Sequence, residues 1–189
     1  MKKFLLSLLA LLMIGSMAGC SSKEKADEPV NDDPENEVLP DEENGDDEAL
    51  GVEVIGDVDT DLQWAMEMAL QDVDLPAYAL MALDSDTYES YTFTPYVEGY
   101  KAVSADAMIS SIAHSVVMVK LPDGTPQEEV EALAASMKEN AQPNKWICVE
   151  AEKVETAVNN NLVLLVMSNA DVVDQIVSNF GNIIYNVSK

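Results

Sequence analysis

The chain has 189 residues, 48% of them hydrophobic, which is enough for one domain with a buried core and a tail. Ten lysines, no arginine and 35 acidic side chains give a formal net charge of −25 at pH 7. That balance excludes nucleic acid as a partner, because phosphate is read mainly by Arg and Lys and an acidic surface repels it. It also rules out bidentate Arg recognition of phosphate or carboxylate, and it keeps an acidic domain off anionic lipid headgroups.

The chain opens with Lys2 and Lys3, an apolar run from Phe4 to Met13, and then small residues ending at Ala18-Gly19-Cys20. Basic, apolar, small is the order of a secretory signal, and the apolar run is too short to span a membrane. Ala18-Gly19 directly before Cys20 resembles the lipobox of bacterial lipoproteins, with Met17 where Leu is commonest. The resemblance implies that residues 1–19 are a signal peptide. It also implies that the Cys20 thiol carries a diacylglycerol, anchoring the chain at the extracytoplasmic face of the cell membrane.

Residues 20–50 follow as an acidic tether, densest at Asp41-Glu42-Glu43-Asn44-Gly45-Asp46-Asp47-Glu48. Few aliphatic and no aromatic residues interrupt it, so it is expected to be disordered and self-repelling. Flexible-chain statistics give its ends a separation of roughly 30 Å. It reads as a spacer, with a loose cation sponge as the alternative.

Residues 51–189 are expected to be a single domain. A helix is predicted over 61–73, with Leu62, Ala65, Met66, Ala69, Leu70 and Val73 on its buried face and Asp59, Thr60 or Asp61 as its cap. Trp64 and Met68 lie four apart on the opposite face. Either a neighbouring loop covers them or they form a partner-binding patch, so they are the candidate interaction residues. A short helix or turn follows at 84–91, and Pro95 breaks the pattern. Strands are predicted over 97–104 and 108–121, the second through Ile112 and Val116–Val119.

Pro122-Asp123-Gly124 is a turn. Thr125-Pro126-Gln127-Glu128 predicts a capping box with Thr125 at the N-cap and Glu128 reaching back. The helix it opens buries Val130, Leu133, Ala134, Met137 and Ala141, and Pro143 stops it. After the apolar segment Trp146-Ile147-Cys148-Val149 come two strands, 153–158 and 162–168, joined around Asn159-Asn160-Asn161. Ser168 or Asn169 caps a last helix that buries Val172, Val173, Ile176, Val177 and Phe180. It ends near Gly181, and 183–187 is expected to extend along the sheet. The order predicts an α+β fold, a small antiparallel sheet with helices packed on one face.

Ala113 to Lys120, the Asp-Gly turn with its acidic helix, and Asn160 to Val166 before a helix ending in Phe180 resemble a family of small bacterial lipoproteins. That family, domain of unknown function 4358, is common in clostridia-like Gram-positive bacteria, and the likeness spans about residues 60–185. Asn160-Asn161 stands where the family's Gly-Asn is expected. The resemblance implies an envelope location and an α+β fold, and it transfers no catalytic residue.

Candidate chemistry is sparse. His114 is the only histidine, and with Cys148 it supplies too few ligands for zinc. His114 and Ser115 are adjacent on a strand and point to opposite faces, so they do not pair as base and nucleophile. Cys148, inside an apolar run, is expected to be a buried thiol. Asp57-Val58-Asp59-Thr60-Asp61 has the spacing that opens a calcium loop. Leu62 and Met68 then stand where such a loop needs Gly and Glu, so these carboxylates read as acidity at the start of a helix. Asp84-Ser85-Asp86 is a weaker version, and Glu128-Glu129 suits a first helical turn. Tyr88, Tyr91, Phe93, Tyr96 and Tyr100 are expected in the core and its rim, with a ligand-facing surface as the alternative. No phosphate loop or serine elbow occurs.

The expectation is therefore a non-enzymatic lipoprotein with no cofactor and no metal, bound to the membrane through Cys20 and to an envelope protein through its domain. The alternative is a small-molecule or calcium-binding accessory of a transport system.

Overall fold

The computed structural model describes residues 52–184, all within one compact unit, Asp47–Lys189. The expected signal peptide, Cys20, the expected tether and residues 185–187 lie outside the described residues. The elements run β1 (Glu53–Ile55), α1 (Thr60–Leu70), β2 (Tyr78–Leu83), α2 (Tyr88–Thr92), β3 (Lys101–Ala107), β4 (Ser115–Lys120), α3 (Gln127–Asn140), β5 (Lys153–Asn159), β6 (Leu162–Ser168) and α4 (Ala170–Gly181).

Six strands form one sheet in the order β1-β2-β3-β4-β6-β5, antiparallel except for the parallel pair β1–β2. The α+β class holds, but helices cover both faces of the sheet. The reason lies in β4 and β6. Val116 and Met118 of β4, with Leu162, Leu164 and Val166 of β6, face the cluster under α1 and α4. Their alternates Val117, Val119, Val163, Leu165 and Met167 face the cluster under α2 and α3. A strand apolar on both sides needs cover on both sides. Each fully buried aliphatic side chain contributes about 1.5–3 kcal/mol, so leaving either face bare is costly.

Other boundaries shift for local reasons. The β4 strand starts at Ser115 rather than at 108, because Met108 to Ala113 turn back on themselves: Ile112 N donates to Ile109 O at 3.1 Å and His114 N to Ile112 O at 3.1 Å. Thr125 does not cap α3. Its hydroxyl closes the preceding turn by donating to Pro122 O at 2.7 Å, and Pro126 stands at the N-cap with no side-chain bond. Asp59 and Asn169 do cap their helices, accepting from Leu62 N and Val172 N. Asn160 takes φ 54° in the two-residue turn that sets Asn159 opposite Leu162. Trp146 to Val149 form a loop, and Ile183 and Ile184 are not in a strand.

Strands β1 and β2 were not foreseen. The β2 sequence, Tyr-Ala-Leu-Met-Ala-Leu, is rich in helix formers, and its strand conformation comes from six paired residues on β3. After β1 the chain turns at Gly56 (φ 81°), where an added Cβ would stand 3.2 Å from the Ala82 methyl carbon.

Candidate functional site

Helix α1 buries Leu62, Ala65, Met66, Ala69 and Leu70, and its register turns Trp64 and Met68 outward. Both are open to solvent, 43% and 37% exposed. The covering loop foreseen as one of two possibilities is not found among the described residues, so both side chains stand open. Met68 also borders a groove of about 280 Å³ between α1 and α4, lined further by Gln71, Asp72, Gln175, Asn179, Asn182 and Ile183. The amides in that groove have internal work. Asn179 Nδ2 donates to Ala69 O (3.1 Å) and Gln71 O (2.9 Å), and Gln175 Nε2 to Asp72 O (2.8 Å). Asn179 thereby satisfies carbonyls that the end of α1 leaves without helical partners, and Gln175 one in the turn after it. The remaining surface is apolar at Trp64 and Met68.

A second groove, of about 400 Å³, lies where β1 leads into α1. Asp57, Asp59, Leu62, Tyr100 and Lys101 are among its walls. Asp59 accepts from Lys101 Nζ at 2.5 Å and from Lys120 Nζ at 3.4 Å, and Lys120 also reaches Asp61 at 2.6 Å. Burial pushes the Asp59 carboxyl upward, but the Lys101 hydrogen bond, the Leu62 N–H and the nearby Lys120 together hold it below its ordinary value. Two of the three carboxylates with calcium-loop spacing thus already carry ammonium partners. Among the described residues no group of three or more His, Cys, Asp or Glu is placed to hold a metal. Tyr100 donates to Glu129 Oε1 at 2.9 Å, and its phenol is pushed up to about 12, first by burial and then by Glu129.

At the opposite end of the sheet, Lys145 stands between elements. Its Nζ donates to Asp106 Oδ2 of β3 at 2.9 Å and to Ser115 Oγ of β4 at 3.1 Å, while Ser115 Oγ donates to Asp106 Oδ1 at 2.6 Å. The same ammonium lies 5.2 Å from the Tyr91 ring centroid, 6.0 Å from Phe93 and 5.1 Å from Trp146. A nucleophilic serine needs a neighbouring base that takes its proton. Here Ser115 donates to a carboxylate that an ammonium also holds, so the cluster works as a clamp between β3, β4 and the α3–β5 loop. Nothing in the sequence spacing joins these three residues, which is why the sequence did not single them out.

His114 is buried and pairs through Nδ1 with Ser168 Oγ at 3.1 Å, not with Ser115. Burial, with a smaller contribution from Lys145, lowers its pKa against the opposing pull of Asp106. The tyrosines are dispersed: Tyr88 is buried edge-on to Tyr96 at 5.6 Å, Tyr91 lies beneath Lys145, and Tyr100 lines the second groove. Cys148 corrects its expectation outright. It is exposed, with φ 61°, because its loop turns outward at the end of the sheet instead of joining the core.

No protein-family model, no curated protein and no solved structure matches the chain. The likeness to domain of unknown function 4358 rests on the residues quoted for it.

Proposed function

We propose that the protein is a lipid-anchored component of the extracytoplasmic membrane face, of the type its family resemblance implies, and that its α+β domain is a non-enzymatic module binding an envelope protein. Cys20 would carry the diacylglycerol, and the acidic segment after it would link the anchor to the domain. The observation that carries the binding reading is the exposed Trp64–Met68 pair on α1. An exposed Trp beside a flexible Met is a side-chain combination enriched in interface cores.

A photo-crosslinking residue at position 64 in intact cells should yield a discrete adduct that Met68→Asp abolishes and that the same probe at Glu139 on α3 does not give. Equal adducts from both positions would sink the binding reading. Cys20→Ser should release the protein from the membrane fraction, and retention would sink the anchor.

The groove at Tyr100 and Lys101 favours a second reading, a small-molecule carrier, since about 400 Å³ falls within the range of ligand sites. A metabolite panel that raises the thermal midpoint would support it. Millimolar calcium should leave the midpoint unchanged, because Asp59 and Asp61 already hold lysines.

A further inference from the structure

Two loops crest side by side at one end of the sheet. The β3–β4 loop exposes Met108, Ile109 and Ile112. The α3–β5 loop exposes Ile147, Cys148 and Val149. Ile147 N donates to Ser110 O at 3.1 Å, so the crests form one surface rather than two wandering loops. Ile147 is 66% exposed and Met108 61%, the most open large apolar side chains of the domain after Ile184. Neither Met108 to Ala113 nor Trp146 to Val149 contains a charged residue, in a chain of net charge −25. Just beneath the crest sit the indole of Trp146 and the ammonium of Lys145, which Asp106 already neutralises.

We propose that this crest is a bilayer-insertion tip: Ile109, Ile112, Ile147 and Val149 enter the acyl boundary, with Trp146 at headgroup level. Three observations favour a lipid surface over other occupants. The crest is formed by projecting loops and borders neither groove, so it offers a peptide no cleft. Residues 108–113 and 146–149 carry no charge, which suits hydrocarbon, and exposed Glu150 beside Val149 would mark the aqueous edge of the crest, whereas bringing a second copy of so acidic a domain face to face costs repulsion.

The third observation is topological. Glu53 of β1 pairs with Ala79, Tyr78 of β2 pairs with Ala107, and Met108 N donates to Ala77 O at 3.0 Å. The preceding chain therefore joins β1 at the same end of the sheet as the crest. Strand spacing puts the two about 10–15 Å apart sideways. The 30 residues from Ser21 to Leu50 are long enough to cover that offset, so an anchor at Cys20 would leave the crest able to reach the bilayer without the chain passing around the domain. The anchor belongs to the function proposed above, but the affinity of the crest for lipid does not depend on it.

The test uses the unlipidated chain from Ser21 on, with Trp64→Phe so that Trp146 is the sole tryptophan. The probe is phosphatidylcholine vesicles, with the chain both free and held to them by an N-terminal histidine tag on nickel-chelating lipid. The tethered form raises the effective concentration, so weak insertion is still read. The expected result is a blue shift of Trp146, quenching by lipids brominated on the acyl chains, and a blue shift of an environment-sensitive dye on Cys148, the only thiol in that chain.

Ile109→Asp with Ile147→Asp should lower vesicle partitioning about tenfold or more while the thermal melt stays unchanged, since both side chains are exposed. Added phosphatidylglycerol should weaken binding at low salt. Absence of quenching in the tethered form, or equal binding by the double variant, overturns the proposal. So does a solution dimer that the double variant abolishes, which would assign the crest to a second copy. Failure of lipidation would show in cells as Cys20→Ser having no effect, and it leaves this experiment untouched.

Discussion

Replacing Lys145 with methionine removes one ammonium and little else, because the thioether keeps most of the aliphatic stem. The ammonium donates to Asp106 and Ser115, with side chains of Lys145 and Asp106 only 18% and 25% exposed. A charge-assisted pair so placed, discounted for the remaining solvent screening, contributes about 1–2 kcal/mol. The three rings 5.1–6.0 Å away add about 0.5–1 kcal/mol together. The expected loss is about 2 kcal/mol, which moves a urea midpoint by about 1 M for a domain of this size. Urea unfolding followed by circular dichroism at pH 7 reads it directly. A double-mutant cycle with Asp106→Asn isolates the ion pair, with an expected coupling of about 1 kcal/mol that shrinks in high salt. A loss below about 0.5 kcal/mol, or a coupling within about 0.3 kcal/mol of zero, would refute the clamp.

Phe180→Ala should cost about 3–5 kcal/mol, because the ring is wholly buried between α4 and the sheet, whereas Ile184→Ala, at an exposed position, should stay within about 0.5 kcal/mol of wild type in the same assay. His114 has a lowered pKa in the folded state, so as pH falls through about 6.5 the unfolded chain takes up a proton that the native one refuses; stability drops there by at most about 1.4 kcal/mol per pH unit. The His114→Gln protein should lack that segment of the urea-midpoint curve between pH 7.5 and 5, and a parallel curve would contradict the buried neutral imidazole. Ellman's reagent should titrate Cys148 in the native protein about as fast as after unfolding, since the thiol is exposed; protection of about a hundredfold would place it inside the fold.

The most legible parts of the sequence were those where one periodicity dominates. The α1 stripe as far as Leu70, the α4 stripe with its Asn169 cap, and the β5–β6 hairpin at Asn160 appear where the pattern puts them, because burial and turn geometry act locally there, while Val73 falls beyond the end of α1 after Asp72 turns to φ 57°. The helix layers were misjudged from information that was present: Val116 to Val119 and Leu162 to Met167 are apolar without alternation, the signature of cover on both sides. The β2 strand was illegible because its pairing with β3 outweighs the preference of Ala, Leu and Met for helix. Cys148 was misplaced because four apolar residues in a row do not say whether they face a core or leave one. Of the candidate sites, Trp64 and Met68 were visible from helix phase alone, whereas Asp106, Ser115 and Lys145 are 9 to 39 residues apart and meet only through the sheet.

The three-residue strand β1 gives the domain a mechanical response to any pull on the chain before it. Its Glu53, Val54 and Ile55 are all exposed and are held in parallel register to β2 alone at the rim of the sheet, so it is the first element to peel. Residues 52–58 span at most about 24 Å when fully drawn out, so tension reaches α1 as soon as they straighten. There the load reaches Asp59, fastened by Lys101 on β3 and Lys120 on β4 to the interior of the sheet. A pull on the preceding chain thus falls first on a short edge strand, and next on the two lysines that hold Asp59.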